Sequence, residues 1–343
     1  MPATKGTDQA LELSALTGHR TGPYCSFNAV SRVQVWQWCS AMGDRNPLYL
    51  DEDYRSRAGF DRVVAPPAMM QMWTMRDVNS AYAPGTADNA GPRVFDTLAE
   101  YGFGGIVAVS YDIRFHRLLL EGDRAHHFST IATISPLKRT TLGHGHFVTD
   151  RVEFLDQDDA LFAEALITYF VYQPKAVAGT ATHAGQQTPA PPTPVASDPL
   201  WHTGFTDISY TSLREGQALP ELVIPITHKL IVSGALATQD FTDVHHSLPA
   251  AKTAAMPDIF MNILTSSGLC ARYLSDWAGP GSRLRHLRFK LQAPNVPGDT
   301  MVMQGQVVKL EQGDNEPRVT VEFAGRNSRG VHVSGAATLA LAC

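Results

Sequence analysis

The longest unbroken apolar pattern in the chain runs from Ile259 to Trp277, where Ile259, Phe260, Ile263, Leu264, Leu269, Tyr273, Leu274 and Trp277 recur without an intervening proline. Apolar positions fall nearly all round the helical wheel, which is the pattern of a buried helix. At 1.5 Å per residue it predicts a rod about 28 Å long, wrapped by a sheet. Runs of the shorter period follow it. Alternation in Val319-Thr-Val-Glu-Phe323 marks a half-buried strand. Strand-like runs are expected at 300–310, 317–324 and 331–342, with counterparts at 146–155 and 161–172. Strands in succession after a single helix fit an α+β fold better than alternating βαβ units.

Residues 174–200, PKAVAGTATHAGQQTPAPPTPVASDPL, break this pattern. Few large apolar side chains remain there, so the segment cannot bury enough surface to offset its ordering entropy and reads as a linker. It divides the chain into a domain at 1–173 and another at 201–343. The two align as a repeat: a short Asp motif, an apolar stretch, then a basic-aromatic strand closing on Gly-Asp, at Arg114–Asp123 and again at Arg288–Asp299. Only the second domain keeps the long helical pattern. In the first it begins after Pro66-Pro67, fades near Ser80 and gives way to a loop at 81–92, so space is expected where the central helix would lie.

Composition narrows the partners. A chain of 343 residues with 44% hydrophobic and 18% charged residues can fill two cores. Its net charge of −5 and the absence of a long basic run argue against nucleic acid and acidic membrane surfaces. Cys25, Cys39, Cys270 and Cys343 are scattered, as expected of reduced thiols in a cytosol. The first residues carry no apolar signal core, and no apolar run reaches the ~20 residues of a membrane span. A soluble, cytoplasmic protein is expected.

The chemistry lies in the repeated motif. The first copy is Ser40-Ala-Met-Gly-Asp44-Arg-Asn46-Pro-Leu-Tyr49, and the second is Ala237-Thr-Gln-Asp240-Phe-Thr-Asp243-Val-His245. In both, a polar ring follows an Asp by five positions. A carboxylate and an imidazole can flank one water molecule, whereas a phenol, with a reference pKa near ~10, is a poor base at neutral pH. The pattern is that of a duplicated fold with one working site and one retired site.

These strings resemble the MaoC-like, R-specific enoyl-CoA hydratases, a hot-dog family in which a sheet wraps a central helix. The family signature is Gly-Asp-x-Asn-Pro-Leu-His; the first half keeps all but the His, at Tyr49. The second keeps Asp240 and His245 but has Thr242-Asp243-Val244 in place of Asn-Pro-Leu. The chain is also similar to the two-subunit steroid side-chain hydratases of bacterial cholesterol catabolism. That similarity rests on Gly-Asp-Arg-Asn-Pro at 43–47 with Val-Ala-Pro-Pro-Ala-Met at 64–69, and on Asp-Val-His-His at 243–246 with Asp-Ile-Phe-Met-Asn-Ile-Leu-Thr at 258–265. The resemblance implies a fused double hot-dog enzyme that adds water across the 2,3 double bond of a bulky, steroidal enoyl-CoA. Asp240 and His245 are then the catalytic pair, and Asn262, at a position where the family usually has Gly, supplies the oxyanion hole. In the first half the matching position is Pro67, which has no N–H to donate, so that half is expected to hold the acyl group. No cofactor is implied, because CoA arrives with the substrate. A homodimer of the fused chain would reproduce the four-domain assembly of the relatives.

Plainer readings compete. Asp240 alone can be a helix cap. Asp243, His245 and His246 do not extend to a pattern such as HExxH, so no metal is expected. Met69, Met70, Met72 and Met75 suit core filling as well as an adaptable acyl-binding wall, which would make Met69 and Met72 substrate-binding residues. Arg288 and Lys290, like Arg114 and Arg117, are either solvated strand positions or contacts for CoA phosphates. A thioesterase shares the hot-dog fold, and fold alone does not settle function. A non-catalytic acyl-CoA-binding scaffold with an inert Asp240–His245 pair is the third reading.

Overall fold

The computed structural model describes residues 13–87, 94–174, 204–254, 256–312 and 316–342; the expected linker lies outside them apart from Pro174. The helices are α1 (Arg32–Met42), α2 (Pro47–Leu50), α3 (Glu52–Arg57), α4 (Val94–Glu100), α5 (His228–Ala237), α6 (Leu248–Thr253) and α7 (Ile263–Ala278). The long apolar pattern becomes α7, but the helix starts four residues later than the pattern does. Asn262 sets the start: its side-chain oxygen accepts the Thr265 N–H at 2.7 Å, the geometry of an N-cap, and Ile259–Met261 form an extended lead-in. Even its polar residues Thr265, Ser266, Ser267 and Arg272 are buried. Two glycines allow its neighbours to close in. A Cβ on Gly268 would lie 2.9 Å from the Trp38 ring of α1, and one on Gly234 of α5 would lie 2.4 Å from the Thr265 hydroxyl.

The strands are β1 (Arg20–Cys25), β2 (Gly105–Phe115), β3 (Ala125–Ile134), β4 (Lys138–Arg139), β5 (Gly143–Asp156), β6 (Leu161–Pro174), β7 (Leu222–Ile226), β8 (Arg283–Leu291), β9 (Asp299–Gln312), β10 (Pro317–Asn327) and β11 (Gly330–Ala340). Among the described residues they form one antiparallel sheet in the order β1-β3-β5-β6-β2-β8-β11-β10-β9-β7, with β4 paired to β5 off this path. Read outward from the β2–β8 seam, both sides show the same succession, so the repeat seen in the sequence is a repeat in topology. The seam pairs Tyr111 with Phe289 and Ile113 with Leu287, all buried. This is a double hot-dog, α+β fold, with α7 held in the curve of the sheet.

Among the described residues the first half has no counterpart of α7. Where the sequence pattern fades, the chain makes two single 3₁₀ turns, Pro67–Met69 and Met72–Thr74. Prolines are tolerated at a helix start, as at Pro47 of α2; what is missing is the apolar run, which fades near Ser80. At the far end, α4 covers Val148 and Val171 through Leu98. Between these covers the inward pair Ala108 and Tyr169 is only partly buried, and Ile106 at the start of β2 is 48% exposed. The inner face of the sheet is therefore open at the place where the second half is filled. Among the described residues no helix is long and apolar enough to cross a membrane.

Candidate active site

The second motif is shaped by the end of α5. After the C-cap at Thr238, Gln239 takes a left-handed φ of 54°, and the Asp240 N–H bonds back to the Ala235 carbonyl at 3.0 Å. A single 3₁₀ turn, Asp243–His245, then brings His245 back over Asp240. The Asp240 Oδ2 and His245 Nε2 atoms lie 3.4 Å apart, both largely shielded from solvent. His245 Nδ1 meets the Phe260 carbonyl at 2.7 Å. A carbonyl only accepts, so Nδ1 carries a proton and Nε2 is the nitrogen turned to the carboxylate. The Phe260 ring also meets the imidazole edge-on at 5.1 Å.

Asp240 is held by donors on both oxygens. Thr242 gives its hydroxyl at 2.7 Å and its N–H at 3.3 Å to Oδ1, and Asn262 Nδ2 lies 3.0 Å from Oδ2. Burial alone would raise the pKa of this carboxyl. The hydrogen bond and charge of His245, with the hydrogen bonds from Thr242 and Asn262, outweigh it and hold the group below the ordinary carboxylate range.

Asn262 occupies a different role from the side-chain oxyanion contact that its position allows in sequence. Its amide also donates to the Thr238 hydroxyl at 2.8 Å, while its oxygen caps α7. Its side chain is fully committed to the fold and to Asp240. The donors left at this point are backbone N–H groups, that of Asn262 itself and those of Ile263 and Leu264 in the first turn, which a helix cannot pair internally. They sit at the positive end of α7.

The first motif folds the same way without the same chemistry. Gly43, at φ 66°, stands where Gln239 stands, and the Asp44 N–H bonds the Cys39 carbonyl at 2.8 Å. Asp44 accepts the Asn46 N–H at 2.9 Å, and α2 brings Tyr49 into the place of the imidazole. Burial pushes Asp44 up to about 6, with the Asn46 hydrogen bond opposing, and pushes the Tyr49 phenol well above its ordinary value. Pro66, rather than Pro67, takes the cap position that Asn262 holds, and Pro67 follows it, so the N–H groups matching Asn262 and Ile263 are missing and only that of Ala68 remains. Asp44, Tyr49 and both prolines line a small cavity of about 30 Å³ against Gly268 and Ala271 of α7.

The remaining candidates do not join the site. Met69 and Met72 are sealed in the main core and fill it rather than line an open wall; only Met75 is half-buried. Arg288 and Lys290 are exposed, whereas their neighbours Leu287 and Phe289 point into the core. Strand alternation thus sets both cations on the outer face, opposite Asp240 and His245, beside an open trough shared with Gln304, Gln306 and Glu322. His246 lies at the surface, 3.6 Å from Asp243. Sequence reasoning missed Thr238 and the Phe260 carbonyl, which act through hydrogen bonds that no motif encodes. It also missed Tyr169, a residue of β6 whose phenol feels the charge of Asp240 across the halves.

Residues 15–165 match the model of the FAS1-like, dehydratase domain region. The chain is 40% identical over 126 residues to the 3-oxo-4,17-pregnadiene-20-carboxyl-CoA hydratase beta subunit of Mycobacterium tuberculosis, covering 37% of this chain and 95% of that one. It is 34% identical over 171 residues to a probable enoyl-CoA hydratase alpha subunit of Thermomonospora curvata, covering 50% of this chain and 54% of that one. The chain thus spans about half the length of that alpha subunit. Among solved structures, a MaoC-like dehydratase superposes with a TM-score of 0.71 at 19% identity, covering 96% of this chain and 99% of that one. A Mycobacterium tuberculosis protein with a double hotdog fold superposes with a TM-score of 0.62 at 15% identity, covering 94% and 96%. At these identities the two structures speak for the fold alone.

Proposed function

Because this chain belongs to the MaoC-like enoyl-CoA hydratase family, we propose that it adds water across the 2,3 double bond of a bulky, steroidal enoyl-CoA at the Asp240–His245 pair. The observation that carries this is the 3.4 Å approach of Asp240 Oδ2 to His245 Nε2, made only in the half that also has free N–H groups at a helix start. A water bound beside these two atoms gives up a proton to the pair as its oxygen adds to C3. The electron pair of the double bond moves through C2 onto the thioester oxygen, where the backbone N–H groups at the start of α7 meet the negative charge. The same pair then returns a proton to C2. The fixed Nδ1–H bond to Phe260 keeps Nε2 aimed at the water through the cycle. A positioned acid–base group of this kind supplies about 10²–10⁴-fold.

The steroidal substrate is supported by the open inner face of the first half and by the beta-subunit relative, whose name specifies a pregnadiene carboxyl thioester. We infer in addition that one polypeptide here does what the relatives divide between alpha and beta subunits, and that two such chains associate. Loss of the enoyl thioester absorbance, followed with crotonyl-CoA, a long linear enoyl-CoA and a steroid enoyl-CoA, tests the activity and the substrate together. Absorbance loss without thiol release is expected. Thiol release would assign a thioesterase, and binding without any absorbance change would assign a scaffold. Sedimentation at twice the 37.3 kDa chain mass is the result expected for the assembly.

A further inference from the structure

The inner faces of the two halves differ in chemistry. Beneath α7 the second half presents Val319, Val321, Phe323, Ala337 and Leu339, all buried and all apolar. The first half carries polar groups on the same face. Its inward residues on β5 are Val148, Asp150 and Val152, and on β6 they are Ile167, Tyr169 and Val171, with Val148 paired to Tyr169 and Asp150 to Ile167. Asp150 and Tyr169 are thus diagonal neighbours, within side-chain reach of each other. The Ser129 hydroxyl of β3 donates to Asp150 Oδ1 at 2.7 Å and is its only side-chain partner among the described residues. A carboxylate has about four acceptor positions, so capacity is left over.

Tyr169 is the second half of the observation. Its hydroxyl makes no hydrogen bond among the described residues, yet it is not sealed away like Tyr273, and the residue remains partly exposed. Its strand partner Ala108 and the neighbouring Ile106 share its inward face and are also uncovered. On this wall, which also carries His127 and His146, an acid with spare acceptor positions and an unpartnered phenol leave capacity that a ligand's polar group can satisfy. Burial raises the pKa of the Tyr169 phenol, and the charges of Asp150 and Asp240 raise it further, so the phenol stays a donor.

We propose that Ser129, Asp150 and Tyr169 form a recognition site for a hydroxyl group carried on the acyl portion of the substrate, on the inner face of the first half. A hydroxyl donates to the Asp150 carboxylate and accepts from the Tyr169 phenol, satisfying both at once. A ketone only accepts and would turn its lone pairs to the carboxylate; a hydrocarbon leaves both groups unpaired. The proposal rests on the acyl-CoA reading of the site, but its test does not require turnover. Three saturated polycyclic acyl-CoAs, which cannot be hydrated, are titrated calorimetrically into the full chain: one with a ring hydroxyl distal to the thioester, its ketone, and its deoxy form. The hydroxyl compound is expected to bind at least tenfold tighter than the other two. Asp150→Leu and Tyr169→Phe should each bring the three within about twofold and leave the deoxy compound's Kd unchanged within threefold. Asp150→Leu should keep or raise Tm, since a buried carboxylate is removed; if it does not fold, Tyr169→Phe and Ser129→Ala carry the test. Equal binding of the three by the unaltered chain, a preference for the ketone, no binding of any, or a preference that survives the variants would each overturn the proposal. Hydration of a simple enoyl-CoA without a hydroxyl preference would leave the hydratase reading standing.

Discussion

Asn262 ties the fold to the chemistry by serving Asp240 and α7 with one side chain. Its Nδ2 lies 3.0 Å from Asp240 Oδ2, and its oxygen accepts the Thr265 N–H that closes the first turn of the central helix. The carboxylate and the helix N-terminus are therefore fixed relative to each other by a single amide. Asn262→Ser keeps a capping oxygen and loses the donor to Asp240; it should lower kcat by about tenfold or more with a Tm close to the parent. Asn262→Ala loses both and should also cost about 1 kcal/mol of stability in denaturant unfolding. Equal activity in the two variants and the parent would remove Asn262 from the positioning of Asp240.

The catalytic pair itself is tested by Asp240→Asn and His245→Ala. Each should reduce kcat by about two or more orders of magnitude, the range for a positioned acid–base group, with near-native folding by circular dichroism. More than a third of parental kcat retained in both would place the chemistry elsewhere.

Tyr49→Phe should leave kcat within about fivefold, because burial keeps the phenol protonated and the first motif has no N–H at Pro66 or Pro67. A collapse of kcat at unchanged Tm would show that the first half does chemistry.

Asp44 gives a pH signature of stability. Its pKa is raised by burial from 3.8 to about 6 in the folded chain, so its favourable contribution is complete below 3.8 and is lost as pH rises through 6. Asp44→Asn retains an acceptor for the Asn46 N–H and removes the buried charge. Its Tm should exceed the parent's at pH 8, and the difference should vanish near pH 4. A gain of the same size at both pH values would mean that Asp44 does not titrate in this range.

Substrate size is read from the open inner face. A rigid ring system gains binding there that a four-carbon chain cannot, and that gain can be used to position the enoyl group. A steroid enoyl-CoA should exceed crotonyl-CoA in kcat/KM by at least ~100-fold, about 2.7 kcal/mol. Ala108→Trp, beside Tyr169, should penalise the steroid far more than crotonyl-CoA. Equal kcat/KM for the two substrates would defeat the steroidal assignment and leave hydration intact.

The sequence by itself determined what is local or periodic. The apolar wheel at 259–277 predicted a buried helix, alternation placed the strands later observed at Asp299–Gln312, Pro317–Asn327 and Gly330–Ala340, and the two Asp motifs showed the repeat. The loss of the first central helix was legible because the apolar pattern that begins after Pro66-Pro67 fades near Ser80 and gives way to a loop. What escaped were features set by partners far along the chain. Helices α1 and α5 are short and their apolar faces are completed by α7 through Gly268 and Gly234, so neither stands out alone. Arg288 and Lys290 looked like ligands for phosphate because composition does not say which face of a strand meets the core; the pairing of β8 with β2 and β11 decided that they point outward. Asn262 spends its amide on Asp240, 22 residues earlier, and Tyr169 approaches that same carboxylate from the other half. Such contacts depend on how the sheet closes round one helix, and only the tertiary structure brings those atoms together.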